Sequence, residues 1–220
     1  DLTNGDGFGI GWYGDRDEPA VYREVMPAWS DENLLTLCDT LRSPLFFAHV
    51  RAATGTAIAR QNSHPFRHKR WLFMHNGQIG GYARVRRELK AQLPDRLYAV
   101  RKGATDSELL FLLALARIER GEAVERAVPG VVEDVGALMR ERGVEDPLRF
   151  SAALSDGERL HVFRLASDGQ PPSLYLRSGA NGTVVASEPF DDHGDWQALQ
   201  NGAVLSLDRH GQTIEALVAA

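Results

Sequence analysis

Short apolar stretches with strand-forming residues recur along the whole chain and predict a protein rich in β-sheet. Four longer stretches carry the helical period and lie mainly between these strands. Because helices and strands do not alternate regularly, we predict an α+β layered sandwich and not a doubly wound parallel sheet. The predicted strands are residues 8–13, 20–25, 45–50, 71–74, 149–154, 160–165, 173–176, 183–186, 203–207 and 213–218, and the predicted helices are 31–41, 81–93, 106–120 and 123–142.

Two of the helical patterns carry recognisable start or break signals. Thr105 and Glu108 form a capping-box pattern in front of an apolar run, which predicts a helix that begins at residue 106. Pro129 lies inside the pattern of residues 123–142, and a proline in a helix interior removes a backbone hydrogen bond. We therefore expect either two helices or one bent helix in that segment.

The composition is that of a globular protein. The chain has 220 residues, 43% of them hydrophobic, and no repeat or long linker divides it, so we predict one domain over residues 1–220. Its 30 acidic and 25 basic residues are mixed along the chain and give a net charge of -5, which argues against a nucleic-acid partner. No stretch approaches the roughly 20 apolar residues that span a bilayer, so no membrane partner is expected.

The single cysteine limits disulfide and metal chemistry. Cys38 cannot form an internal disulfide, and no cysteine or histidine stands at metal-ligand spacing from it, so we predict neither a metal site nor a cofactor. One cysteine suits a reducing compartment, which predicts a cytoplasmic protein. Cys38 falls in the amphipathic pattern of residues 33–41, where we expect a buried structural thiol.

Residues 4–12 (NGDGFGIGW) place four glycines at the entry of a predicted strand. Glycine at this density indicates that a ligand or another part of the chain approaches the backbone closely. A phosphate-binding glycine loop leads into a helix, whereas this one leads into a strand, so a nucleotide site fits poorly. A purely structural turn and the wall of a substrate cleft remain as alternatives.

A second cluster follows in residues 48–55 (AHVRAATG). Alternation along the strand puts His49 and Arg51 on one face, and Thr54 stands just beyond the strand end. A guanidinium in so apolar a run needs a partner, because burial of an unpaired charge is costly. From the residues alone, a structural ion pair is the preferred interpretation of Arg51.

A third cluster consists of residues 62–66 (NSHPF) and the apolar strand that ends at Asn76 and Gly77. Asn-Gly is the commonest two-residue hairpin turn, but an asparagine amide beside a glycine N–H is also a good pair of donors to an oxyanion. The next residues, 78–81 (QIGG), favour a route into a helix over a returning strand. Both interpretations stay open on local evidence.

A fourth cluster is residues 105–108 (TDSE). The capping box explains Thr105 and Glu108, and the helix dipole favours an acid in the first turn. These local effects assign Asp106 no role beyond stability.

Taken in order, these clusters resemble the glutaminase domain of class II glutamine amidotransferases, which are N-terminal-nucleophile hydrolases, and most of all the small stand-alone bacterial branch. The resemblance implies a four-layer αββα sandwich of two antiparallel sheets. Relatives carry an opening strand before the glycine motif, so it also implies that the first strand is missing and the domain over residues 1–220 is N-terminally incomplete. The matching motifs are residues 4–9 (NGDGFG), 49–51 (HVR), 62–66 (NSHPF), 75–77 (HNG), 105–108 (TDSE), 185–189 (VASEP) and Trp196.

The resemblance also assigns substrate-binding residues. A selective glutamine site needs a cation for the α-carboxylate and an anion for the α-ammonium. By resemblance, Arg51 binds the carboxylate with the help of Thr54 and His64, and Asp106 binds the ammonium. The expected partner is glutamine or another γ-glutamyl small molecule, and we expect these side chains to line one cleft.

The resemblance implies covalent catalysis. Asn76 Nδ2 and the Gly77 N–H would stabilise the oxyanion. In the family, a cysteine at the mature N-terminus attacks the amide with its own α-amine as base, ammonia leaves, and water cleaves the glutamyl thioester. Cys38 has no free α-amine, so the resemblance implies a nucleophile upstream of Asp1 and an open sheet edge beside Asn76 and Gly77.

Three functions follow from this resemblance. The leading hypothesis is hydrolysis of the γ-amide of glutamine with release of ammonia, with a separate enzyme as a possible acceptor partner. A relative in ergothioneine biosynthesis implies the alternative of a γ-glutamyl hydrolase acting on a peptide or conjugate, although His64 favours the amidotransferases. The third is a catalytically inactive γ-glutamyl-binding module.

Overall fold

A computed structural model describes residues 4–53, 55–180, 182–208, 210 and 213–218. The strands are β1 (Phe8–Trp12), β2 (Ala20–Glu24), β3 (Phe46–Val50), β4 (Phe66–His68), β5 (Trp71–Ile79), β6 (Leu148–Ser155), β7 (Arg159–Ala166), β8 (Tyr175–Gly179), β9 (Gly182–Ala186), β10 (Gln197–Ala198), β11 (Ala203–Asp208) and β12 (Thr213–Val218). The helices are α1 (Glu32–Thr40), α2 (Tyr82–Ala91), α3 (Asp95–Tyr98), α4 (Asp106–Ile118) and α5 (Val124–Glu141).

The largest layer is an antiparallel six-stranded sheet in the order β12-β11-β7-β6-β5-β4. Helices α4 and α5 pack on one face of it, and α2 packs against both helices. Because α4 is enclosed between the sheet and other helices, its residues 107–116 are all buried. The stacked rings of Phe73 and Phe111, 5.3 Å apart, join β5 to α4 at the centre of this core.

Two smaller antiparallel sheets accompany the six-stranded sheet, in the orders β2-β1-β3 and β10-β8-β9. The first joins the six-stranded sheet through a cluster that contains Tyr13 and Phe47 from its side and Leu72 and Ala153 from the large sheet. The second joins it through a separate cluster around Leu174. Helix α1 follows β2 and is tied to it where the Tyr22 hydroxyl donates to Asp31, the residue that caps α1.

The prediction of an α+β fold built from antiparallel sheets is confirmed. The strand predicted at residues 71–74 is longer than expected, since β5 continues to Ile79. Helix α5 runs through Pro129 as one element, so the two-helix alternative is wrong. The short elements β4, β10 and α3 were not predicted. The single domain over residues 1–220 and its missing first strand stay predictions.

The expectation of a buried Cys38 is wrong. Its thiol is exposed, and α1 buries none of its side chains. The apolar period of α1 is present, but the leucines of that stripe, Leu34 and Leu37, are only half-buried. No helix in the described residues is both long and apolar enough to cross a bilayer.

Candidate active site

Gly7, just before β1, and Gly9 and Gly11 within it let residues 63–65 lie directly on the main chain there. Because β1 is extended, alternate residues face the same side, and on that side there is no room for a side chain. A Cβ added at each glycine would clash with the segment above it, which confirms the expected close approach to the backbone. The contacts would be 2.9 Å from Gly7 to Ser63 Oγ, 2.1 Å from Gly9 to His64 O and 2.7 Å from Gly11 to Pro65 Cγ.

Asn76 and Gly77 lie inside β5 and not in a turn. Their register against β6 is continuous, with Asn76 opposite Ser151 and Gly77 opposite Phe150, so the hairpin alternative is wrong. Gly77 has a φ of 138°, which other residues rarely adopt, and an added Cβ would lie 2.0 Å from Arg149 O. The Asn76 side chain is exposed, and none of the described residues hydrogen-bonds its amide.

The edge of β5 opposite β6 is only partly covered. Strand β4 pairs with Trp71, Leu72 and Phe73, and among the described residues no strand pairs with 74–79 on that side. Instead, the Ile79 N–H donates to Asp106 Oδ2 over 2.8 Å. The first turn of α4 therefore lies at this edge, beside Asn76 and Gly77.

The buried His64 and His75 and the half-buried His49 come together between β3, β5 and the segment of residues 63–65. The rings of His49 and His64 are 4.3 Å apart, and the ring of Phe66 lies 4.6 Å from that of His64. Burial lowers the pKa of His49 to about 4 and that of His64 well below its usual range. It also lowers the pKa of His75, where the charge of Asp106 opposes the shift. The cluster is therefore neutral at pH 7.

His64 keeps hydrogen-bonding capacity that the protein does not use. Neither of its ring nitrogens has a partner among the described residues, and the same holds for His49 Nδ1 and Ser63 Oγ. Buried polar atoms are nearly always paired with protein, water or ligand, so each of these is a place where a polar ligand group or a water gains a bond. A neutral His64 offers one donor and one acceptor.

Arg51 is buried at the end of β3, on the same side of the strand as His49. Its guanidinium donates to the Thr56 hydroxyl over 2.7 Å and, in longer bonds, to the carbonyls of Asp6 and Ala57. In the part of the chain that the structure describes, no carboxylate lies within 4 Å of it, so the expected structural ion pair is wrong. Burial lowers the pKa of Arg51, and the nearby charge of Asp6 opposes this. Thr54 lies outside the described residues.

Asp106 is the first residue of α4 and is half-buried. Its Oδ1 accepts the Ser107 N–H over 2.8 Å, and its Oδ2 accepts that of Ile79. The Thr105 hydroxyl accepts the Glu108 N–H, as the capping box predicts. The other bond of a capping box, from the Thr105 N–H to the Glu108 carboxylate, is not formed, so that part of the prediction is wrong. The Glu108 carboxylate accepts the N–H groups of residues 102 and 103 instead.

Asn62 ties the loop after Arg51 to the segment before Asp106. Its Nδ2 donates to Ala57 O over 2.8 Å, and its Oδ1 accepts the Ala104 N–H over 2.9 Å. The sequence pattern included Asn62 but did not indicate this bridging role. One of these loops follows Arg51 and the other precedes Asp106, so Asn62 links the segments that carry the two charged residues predicted to bind the substrate.

The predicted residues form one connected set. The ring of His64 lies 4.3 Å from that of His49 and feels the charge of Arg51, and His75 is 2.9 Å from the hydroxyl of Ser107, the neighbour of Asp106, so the set extends from β3 to the start of α4. A cavity of about 180 Å³ lined by Arg23, Phe66 and Lys102, among others, includes none of the predicted residues. No group of three or more potential ligands among the described residues is arranged to hold a metal ion.

The late motif around Trp196 has a structural role beside the sheet of β10, β8 and β9. The Arg177 guanidinium lies 4.4 Å above the Trp196 ring and pairs with Asp191, which also accepts the Trp196 indole N–H. These bonds lower the pKa of Asp191 to about 2. The Ser173 hydroxyl donates to Glu188. These contacts hold the turn after β9 against β8.

Comparison with known proteins gives a consistent result. The family model of class II glutamine amidotransferases matches residues 2–169. The chain is 28% identical to the probable glutamine amidotransferase DUG3 of Saccharomyces cerevisiae, over 96% of this chain and 71% of that protein. It is 30% identical to the gamma-glutamyl-hercynylcysteine sulfoxide hydrolase of Mycolicibacterium smegmatis, over 95% of this chain and 81% of that protein.

Solved structures agree with these relatives. A glutamine aminotransferase class-II domain protein from Silicibacter pomeroyi is similar with a TM-score of 0.85 and 39% identity, over 97% of this chain and 91% of that one. The glutamine phosphoribosylpyrophosphate amidotransferase of Bacillus subtilis shares the fold alone, with a TM-score of 0.69 at 16% identity over 97% of this chain and 43% of that one. The chain belongs to the class II glutamine amidotransferases, which are enzymes of the amidohydrolase type.

Proposed function

We propose that this protein hydrolyses the γ-amide of glutamine through a cysteine thioester and releases ammonia. The observation that carries the proposal is the buried Arg51 guanidinium, which has no carboxylate partner among the described residues. Burial of an unpaired charge is costly, and a ligand carboxylate held in a bidentate pair would offset that cost. The surrounding histidines are neutral, so the positive charge near His64 comes from the guanidinium groups of Arg51 and Arg23, both of which act on its pKa.

The remaining parts of a glutamine site support the same proposal. Asp106 would take the α-ammonium, and His64 would add a neutral hydrogen bond to the substrate. Thr54, three positions after Arg51 in the sequence, is proposed as a further carboxylate ligand on the family resemblance alone. Asn76 Nδ2 and the Gly77 N–H would stabilise the oxyanion that forms on the amide carbonyl.

The proposed nucleophile is a cysteine outside residues 1–220. Cys38 does not fit this role, because it lies within α1 and cannot present a free α-amine. The α-amine would take the thiol proton, the thiolate would attack the amide carbon, and collapse of the tetrahedral intermediate would expel ammonia as the protonated α-amine returns that proton to the leaving nitrogen. Water would then cleave the thioester and release glutamate.

Arg51→Lys in the complete protein tests the proposal. An ammonium cannot reproduce the planar two-donor fork of a guanidinium, so we expect KM for L-glutamine to rise roughly tenfold or more while kcat changes less. Ammonia release measured against glutamine concentration gives both constants. Arg159→Lys, an exposed change on β7, is the control and should leave both constants unchanged. An unchanged KM in Arg51→Lys would exclude Arg51 from substrate binding.

A second candidate is hydrolysis of a γ-glutamyl peptide or conjugate, and the relatives named gamma-glutamyl-hercynylcysteine sulfoxide hydrolase favour it. The same carboxylate and ammonium contacts would serve both substrates, since the two differ only beyond the γ-carbonyl. Parallel assays on L-glutamine and on γ-glutamyl dipeptides separate the candidates by kcat/KM. Under the first candidate, a separate acceptor enzyme is a possible partner for the released ammonia.

A further inference from the structure

A buried hydrogen bond joins the two halves of the proposed site. His75 Nδ1 of β5 lies 2.9 Å from the Ser107 hydroxyl of α4, and both side chains are buried. His75 directly precedes the proposed oxyanion pair, Asn76 and Gly77, and Ser107 directly follows Asp106. The bond therefore connects the place proposed for the amide with the place proposed for the ammonium.

The carbonyl of Arg149, which contacts the other ring nitrogen of His75, determines which group donates in this bond. His75 Nε2 lies 3.3 Å from Arg149 O, and a carbonyl oxygen can only accept, so Nε2 carries the hydrogen. In a neutral ring Nδ1 is then the acceptor, and the Ser107 hydroxyl donates to it. Burial lowers the pKa of His75, which keeps the ring neutral. The tautomer is thus fixed by the hydrogen-bond chemistry.

This direction leaves Asp106 available to a ligand. The Ser107 hydroxyl also lies 3.4 Å from Asp106 Oδ1, but its proton is committed to His75. The carboxylate is held by one main-chain N–H from α4 and one from β5. Its remaining lone pairs can accept from an ammonium group.

We propose that Ser107 and His75 are positioning residues that set the distance between Asp106 and the pair of Asn76 and Gly77, and so select γ-glutamyl over β-aspartyl amides. This inference rests on the proposed function. A substrate anchored by its ammonium and carboxylate brings its amide carbon to the oxyanion donors only if its chain has the right length. A misplacement of about 1 Å can cost roughly 10²-fold in rate. A β-aspartyl amide, which is shorter than a γ-glutamyl amide by one methylene, is therefore rejected.

The experiment uses the complete protein and two activated amides, the γ-hydroxamate of L-glutamate and the β-hydroxamate of L-aspartate. In Ser107→Ala we expect kcat/KM for the γ-compound to fall roughly 10–100-fold. We also expect the ratio of kcat/KM for the γ-compound to that for the β-compound to fall at least tenfold. Ser107→Thr keeps the hydroxyl and should retain the preference. Ser206→Ala is the matched control, because Ser206 makes a similar bond to His161, 2.8 Å long, far from these residues in the chain.

A readout without substrate separates this inference from the proposed function. In Ser107→Ala, the Ile79 amide should exchange its hydrogen faster, because its bond to Asp106 loses support, whereas Ser206→Ala should leave that exchange unchanged. If Ser107→Ala does not fold, His75→Gln removes the acceptor at Nδ1 and tests the same bond. Wild-type protein that hydrolyses neither hydroxamate would overturn the proposed function. Unchanged Ile79 exchange, or an equal loss on both substrates, would overturn the positioning role.

Discussion

Two buried histidine–serine hydrogen bonds have nearly equal lengths but differ in which residue is the donor. In the pair of His75 and Ser107, a carbonyl at Nε2 makes the serine the donor. In the pair of His161 and Ser206, the Ser206 hydroxyl donates to Glu125 over 2.6 Å, and His161 Nδ1 then donates to Ser206 and Glu125. In each case the neighbouring acceptor, the Arg149 carbonyl or the Glu125 carboxylate, decides whether the histidine or the serine donates.

The two pairs also differ in what lies beside them. His75 and Ser107 adjoin the exposed Asn76 and the half-buried Asp106, which a ligand can reach. His161 and Ser206 are buried, and their carboxylate partner already accepts from both. A polar pair that is complete within the protein stabilises the fold, whereas one that adjoins unused donors and acceptors can serve a ligand. Changes around the first pair should therefore alter activity, and changes around the second should alter stability.

The largest expected effect is on activity at the first pair. Asn76→Ala removes one proposed oxyanion donor, so kcat should fall by about 10²–10³ with a modest change in KM. Because Asn76 is exposed, the melting temperature should move little. Steady-state ammonia release and thermal unfolding measure the two quantities. A kcat within a few-fold of wild type would remove Asn76 from the oxyanion site.

The second effect is on stability at the other pair. Ser206→Ala removes a buried hydrogen bond to a carboxylate, so the free energy of unfolding should fall by about 1.5–3 kcal/mol. Urea unfolding gives this value, and kcat/KM should stay at the wild-type level. If Ser206→Ala lowered kcat/KM as much as Ser107→Ala, the distinction between the two pairs would not hold.

Acid should destabilise the region around His75 through its neighbour His49. The folded pKa of His49, about 4, is below its unfolded value of about 6.5, so the unfolded state binds more protons between these pH values. Stability is therefore lost as pH falls through this window, by about 2 kcal/mol between pH 7 and pH 5 from His49 alone. Urea unfolding at the two pH values measures the loss. His49→Asn, which does not titrate, should show a correspondingly smaller pH dependence.

The smallest effect is expected outside both pairs. Cys38→Ser changes an exposed side chain of α1, so the free energy of unfolding should change by less than about 0.5 kcal/mol and kcat should not change. Thermal unfolding and ammonia release again provide the measurements. Loss of activity in Cys38→Ser would contradict the proposal of a nucleophile outside residues 1–220.

Much of the fold was predictable because the signals are local. Alternation located β1 and β3, and the cap at Thr105 located the start of α4. The course of β5 was not predictable, since Asn76 and Gly77 form the commonest hairpin signal and only the sheet partner β6 keeps them extended. The exposure of Cys38 depends on what packs against α1, and helical period alone does not specify that.

The site was predictable in its residues but not in its connections. Arg51, His64 and Asp106 stand in motifs that indicate polar chemistry, and the structure places them in one connected set, although their roles stay predictions. The bond between His75 and Ser107 spans 32 positions, and neither residue carries a local signal of it. Likewise, only the structure shows that no carboxylate of the described residues lies within 4 Å of the Arg51 guanidinium.

The glycines of β1 limit how this enzyme can be re-engineered. Residues 63–65 rest on the bare main chain of β1, with no side chain between them that could repack around a change. A library built to broaden substrate range should lose function at Gly9, because any larger residue there displaces the main chain of His64. Useful diversity should instead be sought at exposed positions beside the proposed oxyanion pair, such as Gln78. We therefore expect the positions least tolerant of variation to include residues that have no functional group at all.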